Sequence, residues 1–100
     1  MITHLVFFRM KAEPSAQNAA ENAAELVRQL QELPGKIPQL QDLEAGTDFS
    51  STPASYDVGL YTRFATREDL ATYRDHPAHQ KVVAFVKEVT SERAVVDFET

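Results

Sequence analysis

The chain has 100 residues, 43% hydrophobic and 25% charged; at this length folding buries roughly two thirds of the unfolded surface, which allows one domain with one core. It has no cysteine, which excludes disulfides, thiolate catalysis and Cys-ligated zinc or iron–sulfur sites. A formal net charge of -5, with no run among the 10 Lys and Arg residues, argues against nucleic acid as a partner.

From Met1 to Arg9 there is no basic n-region, and the apolar stretch is too short for a signal peptide or membrane span, so no membrane partner and a cytoplasmic location are expected. Ile2 to Met10 is apolar on both alternating faces, with Ile2, His4, Val6, Phe8 and Met10 on one and Thr3, Leu5, Phe7 and Arg9 on the other. This pattern predicts a strand covered on both sides.

Pro14-Ser15 opens a helix whose buried stripe is Ala16, Ala19, Ala20, Ala23, Leu26, Val27, Leu30 and Leu33, ending at Pro34-Gly35. The small residues at its front should let it lie close to what it covers, leaving little cavity beneath. Leu43, Ala45, Thr47 and Phe49 then alternate with polar residues, as on an edge strand, before a loop over 50–55. A third strand is expected from Tyr56 to Phe64, with Tyr56, Val58, Leu60, Thr62 and Phe64 on one face.

Thr66 caps a short helix carrying Leu70 and Tyr73 and stopping near His76. Pro77 starts another, with Ala78, Val82, Phe85, Val86 and Val89 at helical spacing, and residues 93–99 return as a strand. The order is βαββαβ with the second helix broken: an α+β, ferredoxin-like domain spanning 1–100, its four-stranded antiparallel sheet having strands one and three in the middle. Helices cover one face of such a sheet, yet Leu5, Phe7, Tyr61 and Val95 are assigned to the other, so a second copy's sheet is the simplest cover and a homodimer is expected.

The segment Tyr73-Arg74-Asp75-His76-Pro77-Ala78-His79 gathers a phenol, two imidazoles and a carboxylate at a helix junction, groups able to exchange protons near neutrality. At 100° per residue His79 lies roughly 75° from the apolar stripe of its helix, on its shoulder. The alternative is that Asp75 or His76 caps the helix, His79 packs at its margin, and Tyr73 buries its ring with a satisfied hydroxyl. His4, a lone imidazole among Ile2, Val6 and Phe8, reads first as a hydrogen-bonded core histidine. His76 and His79 flank a helix break and have no third ligand placed by sequence, so no metal site is expected. No phosphate loop or nucleophile elbow supports a nucleotide-binding or hydrolase reading.

Met1 to Lys11, Leu33-Pro34-Gly35-Lys36-Ile37-Pro38, Tyr73 with His76-Pro77-Ala78-His79, and Val96-Asp97-Phe98 together resemble the stress-responsive A/B barrel (Dabb) family over nearly the whole chain. The resemblance implies a ferredoxin-like domain that dimerises through its sheets into a dimeric α+β barrel. The family spans stress-associated proteins that form stable assemblies and a plant branch of polyketide cyclases. In that branch the Tyr and second His of Tyr-x-x-His-Pro-x-His act in an intramolecular aldol condensation, and those positions here are Tyr73 and His79. The resemblance thus implies His79 as general base and Tyr73 as the group that holds the substrate or the enolate oxygen.

A ligand pocket between sheet and helices is expected from His4, Val6, Phe8, Val58 and Leu60 on the strands. His76, Val82 and Val86 contribute from the helical side. Two functions follow: a dimeric domain binding a small apolar or carbonyl ligand without turnover, or a cofactor-free cyclase-like or isomerase-like enzyme. Neither needs a cofactor; a haem-binding variant would use a histidine as axial ligand.

Overall fold

In the computed structural model β1 (Ile2–Met10) pairs antiparallel with β3 (Val58–Phe64) on one side and β4 (Thr90–Glu99) on the other, and β2 (Asp42–Thr47) flanks β3. The sheet order is β2-β3-β1-β4, so the two most apolar strands are central, as their composition predicts. The structure describes residues 1–100 with the exception of the Ala16 side chain, so the placement of Ala16 on the buried stripe falls outside the described residues. Among the described residues no helix is long and apolar enough to cross a membrane.

Three helices complete the order βαββααβ: α1 (Ala16–Gln31), α2 (Arg67–Asp75) and α3 (Pro77–Val89). Each begins where a side chain accepts an otherwise unpaired first-turn amide: Ser15 Oγ from Asn18, Thr66 Oγ1 from Asp69, and His76 Nδ1 from Ala78 at 3.0 Å. The residue before Pro77 is extended (φ -65°, ψ 137°), because the proline ring disfavours a helical predecessor, and that breaks α2 from α3. Gly35 takes φ +87° in the turn after α1, a conformation that favours glycine.

The core lies between the helices and one sheet face. Ile2, Val6, Phe8, Met10, Val58, Leu60 and Phe64 from the sheet meet Leu26, Leu30, Leu70, Tyr73, Val82 and Val86 from the helices, all buried. Burial of this apolar surface, at about 25 cal/mol per Å², is what favours the layered arrangement.

Four sequence expectations are corrected. Strand β3 starts at Val58, not Tyr56, because Asp57 clamps the chain to β1. Its carboxylate accepts from the Met10 amide at 2.7 Å and its own amide donates to the Phe8 carbonyl at 2.8 Å. Tyr56 consequently sits on the opposite face from Val58 and Leu60, against Phe7 and under the Arg9 guanidinium, 4.4 Å from its ring centroid.

Strand β4 starts at Thr90, three residues early, and its register pairs Val95 with Val6 and Val96 with Leu5. Partners directly opposite share a face, so Val96, not Val95, joins Leu5, Phe7 and Tyr61 on the uncovered side. Phe49 lies beyond β2 and is 96% exposed. At the alanine-rich end of α1, Ala20 is exposed, and an open groove of about 500 Å³ runs past Ala19, Ala20, Ala23, Met10 and Asp57. Short side chains there leave the gap unfilled instead of drawing the helix down.

Candidate functional site

A cavity of about 230 Å³ opens between the sheet and α3. His4, Val6, Phe8, Leu60 and Val95 line it from the strands, and Leu30, Val82, Val83 and Val86 from the helices. His79, Arg74 and Arg93 supply the remaining polar groups. A larger concavity, about 770 Å³, lies on the opposite sheet face around Leu5, Phe7, Phe49, Tyr56 and Tyr61. It contains no imidazole, so the smaller cavity is the chemical candidate.

The three histidines of the chain are held in different ways. His79 Nδ1 lies 3.0 Å from the Arg74 carbonyl, one of the orphan acceptors at the end of α2. A carbonyl only accepts, so Nδ1 carries the proton and the Nε2 lone pair is left available. His76 Nδ1 instead accepts from the Ala78 amide and carries its proton on Nε2. His4 Nδ1 bonds Asp97 Oδ1, whose second oxygen takes the Arg74 guanidinium at 2.7 Å. Arg74 thereby links both cavity histidines, His79 through its backbone carbonyl and His4 through its side chain and Asp97.

Burial of His79 disfavours its charged form and lowers its pKa from the ordinary 6.5, and the nearby His4, Arg74 and Arg93 act in the same direction, opposed by the hydrogen bond to Arg74. Tyr73 stands one layer behind. Its ring centroid is 4.3 Å from that of His79, 4.9 Å from Phe64 and 6.3 Å from His4. Its hydroxyl is buried with no hydrogen-bond partner among the described residues, and desolvation raises its pKa, keeping the phenol neutral.

Of the residues singled out from sequence, His4, Val6, Phe8, Leu60, His79, Val82 and Val86 therefore meet at one cavity. Three do not line it. Val58 is packed in the core, His76 caps α3, and Tyr73 stands behind His79 and His4. Sequence reasoning passed over Leu30, Arg74, Val83, Arg93 and Val95; Arg74, inside the Tyr-to-His segment, was the one with a local signal. Among the described residues no three His, Asp or Glu side chains cluster closely enough to hold a metal ion.

A family model described as the stress responsive A/B barrel domain matches residues 2–100. An uncharacterised protein of Streptomyces coelicolor is 29% identical over 99 residues, 99% of each chain. A dimeric protein of unknown function and ferredoxin-like fold from Bacteroides fragilis superposes with TM-score 0.88 at 24% identity, covering 99% of this chain and 95% of its own. The hydroxynitrile lyase of Passiflora edulis superposes with TM-score 0.79 at 15% identity, covering 97% and 90%. At such identities the two structures establish the fold.

Proposed function

The chain belongs to the stress responsive A/B barrel domain family, and from that premise we propose a homodimer that binds a small apolar or carbonyl-bearing molecule in the cavity between sheet and helices. The observation that carries the binding reading is the cavity itself: apolar walls from Val6, Leu60, Val82 and Val86, with His4, Arg74 and His79 converging at one end. Sites for small molecules have this make-up, a mostly apolar surface with few placed polar groups. At about 230 Å³ it is smaller than the roughly 300–1,000 Å³ typical of drug-sized ligands, which fits a small occupant.

Dimerisation is supported by the uncovered sheet face, where Phe7, Val96 and Phe98 are 37%, 51% and 44% exposed, and by the dimeric state given for the Bacteroides fragilis relative. A second copy's sheet would cover these side chains. A core closed without disulfides suits the reducing cytoplasm. Methyl resonances of Val82 and Val86, followed during titration with small carbonyl compounds, test the binding reading; an unmoved spectrum across such a set defeats it.

A second reading, cofactor-free proton abstraction, is favoured by the fixed tautomer of His79. Its Nε2 would remove a proton next to a carbonyl, leaving an enolate whose carbon attacks a second carbonyl of the same molecule. A carbon–carbon bond forms and His79 returns the proton to the new alkoxide. The neutral Tyr73 hydroxyl, one layer away, is the donor suited to the enolate oxygen if the substrate reaches past His79. Turnover lost in His79→Ala, with ligand affinity changed only a few-fold, separates this reading from binding alone.

A further inference from the structure

In a protein of net charge -5, the charged residues lining the cavity are Arg74 and Arg93, and no carboxylate lines it. Arg74 is neutralised by Asp97, whose other oxygen is held by His4. Arg93 makes no ion pair among the described residues. The acid next to it in sequence, Glu92, is engaged by Arg9 at 3.1 Å, and the register places that pair on the other sheet face. The cavity therefore ends in one uncompensated guanidinium.

The register also separates the cavity's polar groups. His4 lies opposite Asp97, and Arg93 lies opposite Phe8, four residues further along β1. Val6, Leu60, Val82, Val86 and Val95 supply apolar walls of the same cavity. An unpaired guanidinium, an imidazole whose Nε2 carries no proton and an aliphatic wall beside them match an amphiphilic anion. Its head would bond Arg93 and its body would lie along the valines. A guanidinium presents paired donors that fit the two oxygens of a carboxylate.

We propose that the ligand of this cavity is a small apolar monocarboxylate, with its carboxylate held by Arg93. This inference rests on the binding reading above and narrows it to a chemical class. A volume of about 230 Å³ equals on the order of eight liquid waters at ~30 Å³ each, which admits a single ring or a short chain. A full-length polyketide would not fit.

The test uses three matched pairs, benzoate with benzamide, phenylacetate with phenylacetamide, and hexanoate with hexanamide, titrated at neutral pH into the full chain and its Arg93→Gln and Arg93→Lys variants. Val82 and Val86 methyl shifts report occupancy. Arg93 is exposed, so its replacement spares the fold, and the amides verify that the cavity survives. The expected result is at least one acid binding about tenfold or more tighter than its amide, the size of a charge-assisted hydrogen bond. Arg93→Gln should erase the difference by weakening the acid alone, and Arg93→Lys should keep part of it. Amides that shift the methyls as strongly as the acids, or an acid preference that survives Arg93→Gln, would overturn the proposal and leave the binding reading standing. If no member of any pair moves the methyls, both fall.

Discussion

Phe7 and Phe8 are chemically identical neighbours on β1, yet they belong to two different surfaces. Phe8 is 4% exposed beneath the helices, while Phe7, 37% exposed, looks out from the uncovered face beside Leu5 and Val96. The helix-covered face carries His4 and meets His79, Arg74 and the cavity; the other carries hydrophobic side chains and no imidazole. One strand thus divides the proposed binding face from the proposed dimer face by alternation alone.

The sharpest way to break that comparison is to truncate each phenylalanine in turn. Phe8→Ala should cost about 3–5 kcal/mol, independent of protein concentration, because it empties part of the monomer's own core. Phe7→Ala should barely change the stability of the isolated fold but should weaken the proposed dimer, so its loss relative to the unsubstituted chain changes with protein concentration. Urea denaturation at two protein concentrations, with sedimentation equilibrium, checks both. Equal, concentration-independent losses would show that the open face is not an interface.

Alternation made the two faces of β1 legible without coordinates, and caps and prolines located the helices: Ser15, Thr66 and Pro77 stand within a residue of where they were expected. Register was not legible. Whether Val95 or Val96 faces outward depends on where β4 begins, and Thr90 continues directly from α3 without a turn residue to mark the boundary. Tyr56 was misplaced for a related reason, since the Asp57 clamp is a contact across 47 residues that no local pattern encodes. At the site, helical spacing found the valines and the motif found His79. Arg93 reaches the cavity only through the pairing of β4 with Phe8, and Tyr73 needs three-dimensional layering to be seen as lying behind His79.

Tyr73→Phe probes the helix-covered face more gently. Among the described residues the buried hydroxyl has no partner, and such a group costs stability, so deleting it should stabilise the fold by on the order of 1 kcal/mol. If the second functional reading is right, the same change lowers turnover, a trade of stability for activity. A destabilised Tyr73→Phe protein would mean that the hydroxyl has a partner in solution, such as a bound water.

The smallest effect, a pH dependence, comes from His79, and its sign follows from burial. Its folded pKa lies below the ordinary 6.5, so between the two values the unfolded chain binds more protons than the folded one, and stability rises with pH across that window. The contribution is complete above pH 6.5 and is lost as pH falls toward the folded pKa; below both it is constant. His79→Gln should flatten this segment of the stability profile. Arg93→Gln should leave the window in place but narrow it, because one of the charges holding the pKa down is gone. The ring proton shift of His79 gives the titration directly, whereas Phe7→Ala, on the face without imidazole, should leave it unmoved in the monomer. A His79 titrating above 6.5 would remove the basis for reading its Nε2 as an available base at neutral pH.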